Sequence, residues 1–231
     1  MKITASAILL AGGKGIRMGE HTPKQFLPLA GKAVILHSLE KFESCDLISE
    51  IILVLPEDKK DFFNHEILKD NKFKKLKKQT IGGITRQDST NEGFRCVDVS
   101  HHVVIVHDVA RPLVSLKTIE DCIKIAFEEG AALAACAASD TIKECDESGK
   151  VVATHPREKI FQAQTPQAAR YEILKEALEH AYQNSFQGTD EASLIERIGK
   201  TVKVVVTDAS NIKLTRPSDF VFAESYLKSI K

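Results

Sequence analysis

Hydrophobic positions in this chain follow two patterns that alternate. Ala5-Ser6-Ala7-Ile8-Leu9-Leu10 is a short apolar run closed by Gly12-Gly13, as expected of a strand buried on both faces that ends in a loop. The same signature returns at residues 51–55 before Pro56, at 103–106 before His107, and at 131–138. Between these runs the spacing lengthens to a helical period. Residues 33–42 form one such stretch, and Leu116, Ile119, Ile123, Ala126 and Phe127 form another, with Ser115 as N-cap and Gly130 as the stop. Residues 169–183, 190–198 and 218–229 also read as helices, with Thr189 and Ser218 as N-caps of the last two.

Alternation of this kind predicts a single Rossmann-like α/β domain over residues 1–231, a mainly parallel sheet with helices on both faces. Such sheets hold ligands at the carboxyl ends of their strands. Residues 142–160 break the rhythm, because Asp146-Glu147-Ser148-Gly149 is a turn between two strand-like segments. The expectation there is a projecting β-hairpin arm, a device that can clasp a second subunit.

Composition narrows the chemistry. With 43% hydrophobic residues in 231, the chain can bury one substantial core. Lysine plus arginine equals aspartate plus glutamate at 32 each, so no overall field draws the molecule to nucleic acid or a membrane, and any bound anion must be held locally. Lys72, Lys74, Lys75, Lys77 and Lys78 cluster, but with only Phe73 beside them they read as a solvated loop or helix face. The start of the chain shows neither a cleavage signal nor a span of transmembrane length, so a cytoplasmic protein is expected. Five widely spaced cysteines read as reduced thiols, three of them core filler.

The candidate chemistry sits where strands are predicted to end. The first loop, Leu10-Ala11-Gly12-Gly13-Lys14-Gly15-Ile16-Arg17-Met18-Gly19, leads to Thr22-Pro23-Lys24-Gln25. Its glycines let backbone amides surround phosphate oxygens, and Lys14, Arg17 and Lys24 can neutralise their charge. Met18 replaces the third glycine of a dinucleotide fingerprint, which argues against a nicotinamide oxidoreductase. Asp108 follows a buried strand and offers the hard oxygen that Mg²⁺ takes when it bridges triphosphate oxygens, although a turn cap would suit it too. His107 reads as a structural strand-end residue. Gly82-Gly83-Ile84-Thr85-Arg86-Gln87-Asp88-Ser89 is a second glycine turn leading into a helix.

Taken together, the first loop resembles the signature of sugar-nucleotide pyrophosphorylases and cytidylyltransferases. His107-Asp108-Val109-Ala110-Arg111-Pro112, Asp140-Thr141-Ile142-Lys143, Gln164-Thr165-Pro166-Gln167, Thr189-Asp190-Glu191-Ala192-Ser193 and Asn211-Ile212-Lys213 narrow that resemblance to the 2-C-methyl-D-erythritol 4-phosphate cytidylyltransferase family, in order and over nearly the whole chain. Leu10-Ala11-Gly12-Gly13 departs from that family's more usual Pro-Ala-Ala-Gly, and Val109 from its alanine. The first departure also suits the sister ribitol-5-phosphate cytidylyltransferases, whereas Lys143 and the Thr189–Ser193 segment look more like the methylerythritol enzymes.

The resemblance implies cytidylyl transfer from CTP to a polyol phosphate, with Mg²⁺ as cofactor, in a homodimer whose subunits meet through the arm. It implies Arg17 and Lys24 as catalytic residues, and Ala11, Gly12, Gly13, Gly15, Gly83, Arg86 and Ser89 as nucleotide-binding, with cytosine selected at the second glycine turn. The metal falls to Asp108. The acceptor falls to Arg157 and Thr141 on the arm and to Arg111, Thr165, Thr189 and Lys213 on the main body. A noncatalytic nucleotide binder is the contrasting reading, disfavoured because such a protein has little need of cations on both sides of one phosphate.

Overall fold

The computed structural model describes residues 2–12, 23–69 and 71–230. Gly13, Gly15 and Arg17, three of the predicted site residues, lie outside the described residues. The first half of the chain carries β1 (Ala5–Leu10), the short ladder of β2 (Pro28–Leu29) with β3 (Lys32–Ala33), α1 (Val34–Glu43), β4 (Ile48–Leu55), α2 (Lys60–Phe62), β5 (Leu76–Ile81), α3 (Arg86–Phe94) and β6 (Val103–Asp108). The second half carries α4 (Leu116–Glu129), β7 (Ala131–Ala137), β8 (Ile142–Cys145), β9 (Val151–His155), β10 (Phe161–Arg170), α5 (Tyr171–Gln183), α6 (Glu191–Arg197), β11 (Lys203–Val206) and α7 (Pro217–Ser229).

Seven strands form one sheet in the order β11-β7-β10-β6-β1-β4-β5. Each neighbouring pair is parallel except the two made by β10, which runs against both β6 and β7. The expected α/β sheet with helices on both faces is therefore present, with one reversed strand near its middle.

The apolar runs are unbroken because both faces of the central strands are covered. Ala7 and Leu9 of β1, Leu53 of β4 and Ile105 of β6 pack with Ile35, Leu39 and Phe42 of α1 and Ile119 and Ile123 of α4. The alternate residues Ile8, Val54, Val104 and Val106 pack with Phe94 of α3, Leu174 and Leu178 of α5 and Leu194 of α6. At Gly93 helix α3 comes so near the sheet that a Cβ would stand 2.5 Å from Ile8 Cγ2. Ser115 accepts from the amide of Thr118 to cap α4, and Gly130 ends that helix at φ 106°.

Several expectations need correction. Residues 169 and 170 close β10, so the helix beyond them begins at Tyr171. Asp190, not Thr189, caps α6, because its carboxylate accepts from Ser193 N while the Ser193 hydroxyl accepts from the Asp190 amide. Ser218 is likewise not a cap, since α7 starts at Pro217 and Asp219 turns back to accept from the amides of Thr215 and Arg216. Lys77 and Lys78 belong neither to a loop nor to a helix but to the edge strand β5, where charge discourages pairing with another chain. All five cysteines are unpaired, and only Cys45 and Cys122 are fully buried.

The arm is present as the antiparallel pair β8 and β9, with Asp146 Oδ1 accepting from the amides of Ser148 and Lys150 to close the turn. It leaves the sheet between β7 and β10, and most of it is exposed, including Val151 and Val152.

Two stability tests follow from this packing. Gly93→Ala should destabilise by about 1–3 kcal/mol through overpacking, despite alanine's better helix propensity, as read from urea unfolding. His107 is fully buried against Phe42, with ring centroids 5.0 Å apart, and burial pushes its pKa down to about 3. Between pH 6.5 and 3 the unfolded chain therefore binds a proton that the native chain refuses. That group's contribution falls as pH drops through this window, by about 1.4 kcal/mol per pH unit. His107→Asn should flatten the acid limb of a plot of unfolding midpoint against pH.

Candidate active site

Two glycine-containing loops meet beyond the carboxyl ends of β1 and β5. The Ala11 amide continues the β1 ladder by donating to Val54 O, and Gly82 N donates to Leu55 O. A Cβ on Gly12 would touch Ser89 Oγ at 3.4 Å, and one on Gly82 would stand 2.8 Å from the same atom, so both loops close on Ser89. At Gly83 a Cβ would fall 2.3 Å from Asp88 Cβ, which leaves glycine as the residue that fits. Thr85 then opens α3 with a capping box, its hydroxyl accepting from Asp88 N and the Asp88 carboxylate from Thr85 N. Past the undescribed part of the first loop, Gln25 Nε2 donates to Ala11 O at 2.6 Å. This contact brings the turn carrying Lys24 back to the end of β1.

Asp108 ends β6 directly beside Leu10, and its side chain is nearly buried. Arg86 Nε donates to Oδ1 at 3.1 Å and Lys213 Nζ to Oδ2 at 2.6 Å. Burial opposes ionisation of this carboxyl, but Arg86 and then Lys213 overcome that penalty and hold it well below the usual carboxylate range. The two terminal nitrogens of Arg86 are engaged elsewhere. They form a fork on Glu191, at 2.8 and 3.0 Å, and Thr90 Oγ1 donates to the same carboxylate at 2.8 Å. Burial works against the Arg86 cation too, yet Glu191 and Asp108 raise its pKa above the ordinary arginine value.

The reversed strand β10 supplies the opposite wall. Ala163 faces Ala135 and Gln167 faces Leu133, so four steps along β10 oppose two along β7, and Gln164, Thr165 and Pro166 bulge out of that pairing. Thr165 Oγ1 accepts from the Asp108 amide at 3.0 Å and lies 3.1 Å from His107 Nδ1. The side chain of Gln167 accepts from Ala192 N and donates to Asp190, which pins the start of α6 and sets Thr189 at its exposed rim. Asn211 Nδ2 donates to Gln164 Oε1 and Thr165 O, and Arg111 donates to Asn211 O. Arg111 Nε and Asn211 Oδ1 are buried without a partner within the described residues. Burial lowers the Arg111 pKa, with Asp108 partly offsetting that effect.

Among the predicted residues, Arg86, Asp108, Thr165, Lys213 and, through Asn211, Arg111 thus form one contact network at the carboxyl end of β6, with Ala11, Gly12, Gly83 and Ser89 at the ends of β1 and β5, Lys24 on the turn tied to Ala11, and Thr189 just before α6. Arg157 and Thr141 are exposed at the arm, where Arg157 donates to Ser139 O at 2.9 Å. Glu191, Gln164, Gln167 and Asn211 are contributions that sequence reasoning quoted within motifs but left without a role. Their roles depend on contacts between segments distant in sequence, which no local pattern announces. A hollow of about 350 Å³ lined by Leu68, Phe73 and four lysines lies at the amino-terminal half of edge strand β5, away from these residues.

No group of three or more His, Cys, Asp and Glu side chains at metal-binding spacing occurs among the described residues. Mg²⁺ needs none, since one carboxylate, several waters and substrate phosphates satisfy it. Asp108 has the oxygen chemistry for such a shared ion, so the donor set fits a metal that arrives with phosphate rather than one caged by protein alone.

Comparison with known proteins agrees with this geometry. Residues 5–229 match the family model described as IspD: 2-C-methyl-D-erythritol 4-phosphate cytidylyltransferase. A relative of that name from Syntrophus aciditrophicus is 41% identical over 99% of this chain and 97% of its own, and one from Geotalea uraniireducens is 40% identical over 100% and 98%. The crystal structure of 4-diphosphocytidyl-2C-methyl-D-erythritol synthase from Anaerococcus prevotii superposes with a TM-score of 0.87 at 30% identity, covering 98% of this chain and 97% of that one. The corresponding cytidylyltransferase from Thermus thermophilus gives 0.77 at 28% identity over 99% and 100%. With its fold, its motifs and almost its full length shared, the chain belongs to the 2-C-methyl-D-erythritol 4-phosphate cytidylyltransferase family of nucleotidyltransferases.

Proposed function

We propose that this enzyme transfers the cytidylyl group of CTP to 2-C-methyl-D-erythritol 4-phosphate, releasing pyrophosphate, on the non-mevalonate route to isoprenoid precursors. The observation that carries the reading is the position of Asp108. It is held between the glycine loops that converge on Ser89 and the wall of β10, Arg111 and Lys213.

In the reaction an oxygen of the acceptor's phosphate attacks the α-phosphorus of CTP. A new P–O bond forms, the bond to the β-phosphate oxygen breaks, and pyrophosphate leaves with that electron pair. No covalent enzyme intermediate is needed, so the residues act by positioning and by neutralising charge. Gly12, Gly13 and Gly15 supply amides around the triphosphate, Ala11 anchors their loop to the sheet by its bond to Val54 O, and Gly83, Ser89 and the turn anchored by Arg86 select the base and ribose. Arg17 and Lys24 neutralise charge that builds up as pyrophosphate departs. Asp108 would hold Mg²⁺, which would supply Lewis-acid withdrawal of charge from the phosphate oxygens. Lys213, Arg111, Thr165 and Thr189 hold the acceptor from the main body.

The working form is a cytoplasmic homodimer, each subunit one domain over residues 1–231. The arm of one subunit brings Arg157 and Thr141 to the acceptor bound by its partner. Two observations support this reading: Arg157 and Thr141 are both exposed, and the arm also exposes the apolar side chains of Val151 and Val152. No described helix is long and apolar enough to cross a membrane.

Substrate choice is tested by pyrophosphate release with CTP and Mg²⁺. Methylerythritol phosphate should support turnover at least a hundredfold above ribitol 5-phosphate, and the reverse preference would reassign the acceptor. Lys24→Ala should lower kcat by about 10²-fold or more with little change in the KM for CTP, because its interaction grows in the transition state. A change confined to KM would remove Lys24 from the catalytic role. The shared site is tested by unfolding and refolding Lys24→Ala together with Arg157→Ala, each nearly inactive alone. Random pairing makes half the dimers mixed, and each mixed dimer holds one site free of both lesions, so about a quarter of wild-type activity should return. Activity no greater than the sum of the separate variants, with exchange confirmed by tagged chains, would place Arg157 on its own subunit's site or on neither.

A further inference from the structure

Glu191 is the first residue of α6 and only 3% exposed, yet none of the roles assigned above uses it. Its carboxylate takes both terminal nitrogens of Arg86 and the hydroxyl of Thr90. Arg86 in turn is the first residue of α3, so this fork joins the helix that follows the nucleotide turn to the helix that follows Thr189. We infer that Glu191 is a positioning residue for the metal-binding end of the site: by gripping both terminal nitrogens of Arg86 it holds that guanidinium with only Nε–H against Asp108 and so preserves Asp108 as a ligand for a divalent cation. This rests on the reading of Asp108 as the metal carboxylate.

The argument is one of charge and geometry. Glu191, Arg86, Asp108 and Lys213 form a chain of alternating sign, two carboxylates and two cations, with both carboxylates nearly buried. Its sum is zero. Without the charge on Glu191, Asp108 would face Arg86 and Lys213 with the Arg111 cation beyond them, a net positive cluster that repels a divalent ion. The freed fork of Arg86 could also turn onto Asp108 and bind it through two parallel N–H groups, the geometry arginine favours with carboxylates. Both effects weaken metal binding at Asp108 while leaving the triphosphate no less attracted. A purely structural clamp between α3 and α6 would behave differently, since any change that disturbs the fork would harm the site whatever its charge.

The test measures Mn²⁺ binding by electron paramagnetic resonance to protein saturated with a nonhydrolysable CTP analogue, beside the Mg²⁺ dependence of turnover. Glu191→Gln should weaken Mn²⁺ binding about tenfold, with affinity for the analogue in the absence of metal undiminished. Glu191→Asp shortens the side chain but keeps its charge, and should stay within about threefold of wild type. Thr90→Val removes a neutral contact from the Glu191 carboxylate and keeps every charge in place, so its Mn²⁺ affinity should also stay within about threefold. If Glu191→Gln does not fold, Glu191→Asp and Thr90→Val carry the test, since a loss of about tenfold in either, with the charge kept, overturns the inference. Near-wild-type Mn²⁺ binding in Glu191→Gln overturns it too, as does loss in Thr90→Val equal to that of Glu191→Gln. Asp108→Asn separates the two readings. If it leaves Mn²⁺ binding unchanged, Asp108 is not the metal ligand and both fall; if it abolishes binding while Glu191→Gln does not weaken it, only the role of Glu191 falls.

Discussion

A buried carboxylate must be compensated, and in this protein the compensation of Asp108 organises the mouth of the sheet. Its backbone is fixed by β6, but the cations that keep it ionised come from distant parts of the chain: Arg86 from the helix after β5 and Lys213 from the segment leading to α7. Removing both would leave a desolvated charge, a loss of several kcal/mol in typical cases. The loops that carry those cations are thereby held at fixed places. An electrostatic requirement at one atom pair thus sets the geometry of several loops.

The same economy explains the polar residues of β10. A strand in the middle of a sheet would ordinarily present apolar side chains to both helical layers, as β1, β4 and β6 do. In β10 the segment Gln164-Thr165-Pro166-Gln167 is buried but polar, and each polar side chain has a named partner: Asn211 and Thr207 for Gln164, the Asp108 amide for Thr165, Ala192 N and Asp190 for Gln167. Reversal of the strand brings this segment beside the carboxyl end of β6 rather than its amino end, and the bulge against β7 frees it from regular pairing. The wall of the site is a strand whose hydrogen bonds go to loops.

This explains which features could be read from the sequence. β1, β4, β6 and β7 announce themselves because burial on both faces demands continuous apolar runs, and α4 because Ser115 and Gly130 mark its ends. β10 does not, since its buried positions are filled by glutamine and threonine, and β5 does not, since an edge strand dotted with lysines lacks any apolar run. At the site, motif order pointed to Asp108, Arg86, Thr165 and Lys213, and the structure brings them together. The bidentate grip of Glu191 on Arg86 spans 105 positions in sequence and follows from no local pattern.

The arm is attached in a way that separates it from everything just described. Ala137 pairs with Phe161, and the amide of Ala138 donates to Ile160 O, so the excursion leaves and rejoins the sheet across a single rung of the β7–β10 ladder. Its length and surface can change without altering the register of the strands beneath. This makes the arm a module: insertion, deletion or substitution beyond that rung would change what the arm touches and leave the charge chain around Asp108 as it is.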